Sequence, residues 1–289
     1  MYQKNQLSRA ILKTLIYSDI FDYPLTFTEL GFYLLGNFSL SQKNIQQIKE
    51  IAEEKGYFFL KDRKNIVEKR LQRQKISESK LLLAEKTIKT LSYIPTIYFI
   101  GVSGSLAMHN ADALDDIDLF IICSPHAIWI TRLLVLFVLQ LLGKRRKRNK
   151  TSARNAFCTN MFITKNAIVM PKNKQNLFTA HEIVQVKPMF DRENTYAAFF
   201  SANNWVRAYL PHAQEQKIVS QNSSIIRMVF EKIFISTDFV AHIMQHWYMN
   251  LHKTNETITN TMFAFHPQDV TAAVLMEYTK KLKKYGISV

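Results

Sequence analysis

The stretch that decides the fold reads Gly101-Val102-Ser103-Gly104-Ser105-Leu106-Ala107-Met108-His109-Asn110-Ala111-Asp112-Ala113-Leu114-Asp115-Asp116-Ile117-Asp118-Leu119-Phe120-Ile121-Ile122. An apolar run over residues 96–102 ends at the small pair Gly104-Ser105. After a polar loop comes Asp116-Ile117-Asp118, and a second apolar run follows at once. Apolar runs bounded by turn residues predict two strands of a buried sheet. Side chains alternate along a strand, so Asp116 and Asp118 share a face. Two neighbouring carboxylates repel, and a hard divalent cation such as Mg²⁺ relieves that repulsion. A Gly-Ser turn lets backbone N–H groups and a hydroxyl approach phosphate oxygens. A solvated strand cap would explain the polar loop, but not a carboxylate set inside an apolar run, where it is costly unless partnered. Together these are the parts of a metal-dependent phosphoryl or nucleotidyl transfer site.

The order Gly-Ser, short spacer, Asp-x-Asp and apolar strand resembles the nucleotidyltransferases of the DNA polymerase β-like superfamily. Gly104, Ser105, Asp116 and Asp118 match that signature position by position, and the resemblance spans roughly residues 92–200. It implies a mixed-sheet core, Mg²⁺ or Mn²⁺ as the metal, and an NTP as substrate. The implied reaction moves a nucleoside monophosphate to an acceptor hydroxyl. Asp116 and Asp118 are then the catalytic and metal-binding residues; Ser103, Gly104, Ser105 and Asn160 bind the nucleotide. In that superfamily a later strand usually adds a third carboxylate. Here the corresponding strand reads Cys158-Thr159-Asn160-Met161-Phe162, and its polar candidates are Thr159 and Asn160, not an acid. Asn160 could ligate through its amide oxygen; Glu182 and Asp191 are replacements from a predicted helix and turn. This departure supports an alternative: a catalytically weakened nucleotide-sensing or DNA-binding regulatory protein. A third reading is an interaction module whose helices serve assembly. The acceptor stays open among a small molecule, an RNA end and a protein side chain.

The chain has 289 residues, 47% hydrophobic and 21% charged, an ordinary globular composition, and its 7 Gly and 7 Pro argue against long disordered linkers. Cys123 and Cys158 sit in apolar strand-like runs and read as buried thiols in a reducing compartment. Lys13 and Asp19 interrupt any signal-peptide pattern, so a cytoplasmic location is expected. A net charge of +15 favours polyanions as partners, and the run over residues 144–150 is its densest part, able to steer a triphosphate or nucleic acid. His109 and Asn110, in the loop between the two motifs, are candidate pocket residues. His242 and His246 are spaced by four without a carboxylate pair and read as core or surface histidines.

The fold class expected is α+β, in four parts. Residues 1–65 form a winged-helix-like domain: three helices, the third over residues 42–55, then a hairpin. The mixed charge of that third helix predicts weak, salt-sensitive nucleic-acid binding at best. Residues 66–92 form a connector helix with an apolar stripe through Leu71, Ile76, Leu81, Ala84, Ile88 and Leu91. Residues 93–194 are the nucleotidyltransferase core, with a strand over residues 167–170 and a closing Pro188-Met189-Phe190-Asp191 turn. Residues 195–289 are expected to be a wholly helical bundle with cores at residues 225–235 and 239–249. The apolar stretch over residues 127–142 is too short to span a bilayer and contains Arg132 and Gln140, so it reads as a core helix without a transmembrane segment.

Overall fold

The computed structural model describes residues 2–63, 65–146, 154–250, 257–264 and 268–287. Helix α1 (Tyr2–Asp19) buries Ile11, Leu15 and Ile16 and stops at a turn where Asp22 takes a positive φ. Strand β1 (Leu25–Thr26) leads into helix α2 (Phe27–Phe32), started by a capping box between Thr26 and Glu29. Helix α3 (Gln42–Gln46) is shorter than expected. Residues 51–54, predicted as its end, are instead strand β2 (Ile51–Glu54), paired with β3 (Tyr57–Leu60). Lys55 and Gly56 both have positive φ, as a two-residue hairpin turn demands, and this turn chemistry outweighs the helical spacing of Ile45, Ile48 and Ile51. β1, β3 and β2 make a small antiparallel sheet in that order.

Helix α4 (Ile66–Leu91) has its predicted extent but a different buried face. Leu71 and Ile76 are only half-buried, whereas Arg70, Ser77 and Lys80 are buried with Ala84, Ile88 and Leu91. Strand β4 (Ile97–Val102), helix α5 (Gly104–Ala107) and strand β5 (Ile117–Cys123) follow. Helix α6 (Ile128–Leu141) covers the sheet, and strand β6 (Phe157–Thr164) lies parallel to β5. Helix α7 (Leu177–Gln185) comes next. The expected Pro-Met-Phe-Asp turn is instead strand β7 (Lys187–Asp191), paired antiparallel with β4. Residues 167–170 form no strand. After helices α8 (Thr195–Ala202) and α9 (Ile225–Asn250) come strands β8 (Thr257–Ile258) and β9 (Met262–Ala264) and helix α10 (Gln268–Lys284).

The main sheet has six strands in the order β7-β4-β5-β6-β9-β8, mixed because β5 and β6 run parallel. Residues 195–289 are therefore not a wholly helical bundle: β9 pairs with β6 and extends the central sheet. Helix α10 packs against α1 and α7 rather than against α9, with Tyr278 hydroxyl donating to the Lys13 carbonyl at 3.2 Å. Alternation along β5 feeds two cores. Phe120 and Ile122 join the apolar residues of α1, α7 and α8 on one face, while Ile117, Leu119 and Ile121 join those of α4 and α6 on the other. Each fully buried Ile, Leu or Phe contributes about 1.5–3 kcal/mol. The first core also takes in Leu30, Ile45 and Phe58, so the N-terminal elements share a core with the sheet. No helix among the described residues is long and apolar enough to cross a membrane.

Candidate functional site

Asp118 is the second residue of β5, and Asp116 lies two residues earlier. The parallel register sets Asp118 opposite Cys158 at the start of β6. A carboxylate oxygen from each aspartate and the Cys158 sulfur all lie within 4.8 Å of one another. Cys158 is thus half-buried beside two acids, not simply a core thiol; Cys123 is the fully buried one. A register shift between Asp118 and Phe120 adds one residue to β6, so Phe120 faces Met161. Asn160 lies buried in that irregular step, and the residue opposite Asp118 is Cys158. Strand alternation alone could not locate this shift. The third ligating side chain beside the two acids is therefore a thiol.

The Gly-Ser turn presses against the carboxylates. Gly104 has φ +65°, and a Cβ there would stand 2.9 Å from Asp118 Oδ2. Ser103 N–H donates to the Asp118 carbonyl at 3.0 Å, which fastens the turn to β5. The Ser103 Oγ is buried without a hydrogen-bond partner. Ser105 is engaged: its hydroxyl donates to Asp115 Oδ2 at 3.0 Å, and the Asp112 N–H donates to the same oxygen at 2.9 Å. Asp115 thus folds the loop that returns Asp116 and Asp118 to the turn.

One face of α4 grips that loop from outside. Arg70 donates to the Met108 carbonyl at 2.9 Å, and the Ser77 hydroxyl accepts from Ala111 N–H at 3.0 Å. Lys80 donates to the Asp115 carbonyl at 2.5 Å; burial lowers its pKa, and Asp115 and Asp116 oppose that. Arg70 also pairs with Glu29 at 2.8 Å, which ties the N-terminal elements to the same loop. Asn110 is held by its side-chain amide donating to the Phe21 carbonyl at 2.9 Å, and it lines the cavity described below; His109 instead faces Lys187 at 3.3 Å. Arg70, Ser77 and Lys80 stand at helical spacing in the sequence, but nothing local shows that they face this loop.

The electrostatics are those of crowded anions. Burial, then Asp116, then Glu182 push the Asp118 carboxyl up to about 7. Burial, then Asp118 and Asp116, push the Cys158 thiol up to about 12, so it stays protonated. Arg146 donates to Asp116 at 2.5 Å and lies 3.7 Å from the Cys158 sulfur. The remainder of the basic run, residues 147–150, lies outside the described residues. Of the two replacement acids, Asp191 is excluded by position. It pairs with Phe99 at the opposite end of β4 and accepts from Tyr196 N–H at 2.8 Å. Glu182 is near enough to act on Asp118, and burial raises its own carboxyl to about 7.

Glu182 and Gly104 both border a cavity of about 210 Å³, whose wall includes the N-terminal aromatic side chains Tyr17, Phe21, Tyr23 and Tyr33. Tyr17 stacks on His181 at 3.9 Å, and Tyr33 lies 5.7 Å from the same ring. Burial holds His181 down at about 4, so it is neutral at pH 7, with Nδ1 on the Leu177 carbonyl. His242 packs against Trp129 at 4.4 Å and next to His246, away from these acids.

Arg146 occupies Asp116 as a cation would. Arg146→Ala is therefore expected to lower the Mg²⁺ concentration for half-maximal thermal stabilisation by up to about fivefold, the scale of an exposed ion pair. Titration of both proteins by thermal shift checks this; a weakened metal response would assign Arg146 a supporting role instead.

No protein-family model matches the chain, and no curated protein matches it. A solved structure, described as the crystal structure of a toxin–antitoxin with AMP-PNP, is similar over 43% of this chain and 90% of that one, at 14% identity and a TM-score of 0.27. A likeness of that extent decides nothing about this chain.

Proposed function

We propose that this chain is a nucleotidyltransferase that moves a nucleoside monophosphate from an NTP to an acceptor hydroxyl, with Mg²⁺ or Mn²⁺ held by Asp116 and Asp118. The observation that carries this reading is the convergence of the two carboxylates with the Gly104 turn packed against one of them. The residues fit a divalent cation. Two hard oxygen donors converge, and a positive charge between them would offset the burial that raises the Asp118 carboxyl and the repulsion from Asp116 that adds to it. The buried, unpartnered Ser103 hydroxyl beside the turn fits a phosphate oxygen. When bound, the metal would supply charge neutralisation at the phosphate oxygens.

The chain's own contributions are positional. Ser103, beside the Gly104 turn, would orient the triphosphate. The neighbouring aromatic cavity would seat an apolar or planar part of one substrate. Glu182, which lines that cavity and whose carboxyl burial raises to about 7, would take a proton from the attacking hydroxyl.

One observation favours a second reading, a nucleotide sensor with weak turnover: Cys158 stands opposite Asp118, and a protonated thiol holds Mg²⁺ poorly. The DNA-binding version gains little, because α3 has only 5 residues and β2 ends in Glu53 and Glu54. Incubation of the full chain with α-labelled NTPs, Mg²⁺ or Mn²⁺ and cell extract tests the proposal. Label transferred to a small molecule, RNA or protein supports it. NTP- and metal-dependent stabilisation without any transfer replaces it with the sensor.

A further inference from the structure

Helix α9 is docked with its polar side inward. Glu231 is buried, accepting from the Tyr98 hydroxyl at 3.0 Å and from Ser124, and it pairs with Arg227 at 3.2 Å. Asp238 accepts from the Ile130 N–H at 2.8 Å, at the start of α6. Gln245 donates to the Trp129 carbonyl at 2.7 Å and accepts from Arg132 at 2.6 Å. These contacts fix the rotation of the helix, so its apolar side has to face outward. The residues expected to be bundle core are accordingly exposed, Ile226 at 71% and Trp247 at 69%.

The outward face has a regular spacing. Ile226, Val229, Ile233, Ser236, Val240, Ile243 and Trp247 alternate steps of three and four, and all are exposed. That is the 3.5-residue seam with which a helix packs along another helix, and β-branched residues predominate in it. Phe137 and Leu141 of α6, which packs along α9, extend the patch. We propose that this face is the contact between two copies of this chain, paired α9 to α9 across a two-fold axis.

Three features select a second copy as the occupant. A two-fold contact brings the same patch onto itself, so an apolar seam meets an apolar seam. The eleven large apolar side chains exposed on α9 present on the order of 1,000 Å², against roughly 800 Å² per partner in a standard interface. The face is also depleted of charge: among the described residues of α9, Lys232 is the one exposed ion. A lipid-binding helix would instead flank its apolar side with lysines and arginines, whereas here Arg227 and Glu231 are buried in the protein, Asp238 is half-buried on the Ile130 N–H, and Lys232 is the one exposed cation among the described residues of the helix.

Light scattering coupled to size exclusion, on the full chain from 1 to 100 µM, tests this. The expected mass is that of two chains, and association should strengthen between 0.15 and 0.5 M NaCl, because two chains of +15 repel until salt screens them. Ile233→Glu with Val240→Glu should weaken dimerisation by roughly a hundredfold, while Leu82→Glu, an equally exposed site on α4, should leave it intact. Should the double variant misfold, Ser236→Leu decides: filling the polar gap in the seam should tighten the dimer. A wild-type chain that stays monomeric at 100 µM overturns the proposal, whether or not it floats with phosphatidylcholine–phosphatidylserine vesicles. A dimer indifferent to both the double variant and Ser236→Leu overturns it as well.

Discussion

Asp118→Asn is expected to abolish metal-dependent stabilisation by NTP and to slow any transfer by several orders of magnitude, yet to make the metal-free protein more stable at pH 8. The second effect has the less obvious sign. In the fold the Asp118 carboxyl is raised from 3.8 to about 7 by burial, then by Asp116 and Glu182. The folded chain therefore holds a proton that the unfolded chain has released, and stability falls as pH rises through the window from about 4 to 7. An amide of the same shape carries no such penalty. The gain should be on the order of 2 kcal/mol at pH 8 and negligible near pH 4. Mg²⁺ inverts the comparison, because a cation between the carboxylates stabilises only the wild type, and protons compete with it below pH 7. Thermal-shift titrations at both pH values, with and without Mg²⁺ and NTP, read all of this. Equal stabilisation of wild type and variant by metal and NTP would sink the site assignment.

Gly104→Ala is expected to lose activity about a hundredfold or more while costing only about 1–2 kcal/mol of stability. At φ +65° any side chain is strained, which accounts for the stability loss. The larger effect comes from the new Cβ, which would sit 2.9 Å from Asp118 Oδ2 and drive that carboxylate away from Asp116. A lone oxygen can swing aside cheaply, so the fold survives; the spacing of the two donors does not. Loss of metal affinity by calorimetry with a near-native melting curve is the expected pattern. An unchanged metal affinity would show that Asp118 has room to relax and that the turn serves only as a chain reversal.

The two strands around the Gly-Ser turn, the pairing of Asp116 with Asp118, and the long helix over residues 66–91 were legible because each rests on local information: an apolar run, a period of two, a period near 3.6. Cys158 was not legible as a neighbour of the acids. Its place depends on an extra residue in β6, which shifts the register against β5 and which no alternation pattern reveals. The grip of Arg70, Ser77 and Lys80 was not legible either, because their partners are backbone groups of a loop more than thirty residues away.

The C-terminal third separates the two kinds of information most clearly. Apolar periodicity determined that residues 225–250 are helical, since that pattern belongs to the chain itself. Which side of the helix would be buried was decided only in three dimensions. Tyr98, Ser124, Arg132 and the start of α6 supply partners for Glu231, Asp238 and Gln245, and an unpartnered charge or amide costs more to bury than an apolar side chain costs to expose. In the same way, composition and motif determined that this chain carries paired carboxylates beside a small turn. Only the packing of the N-terminal segment against that turn decided that they border a cavity with Tyr17, Phe21, Tyr23 and Tyr33 in its wall, because contacts such as that of Asn110 with Phe21 join residues 89 positions apart along the chain.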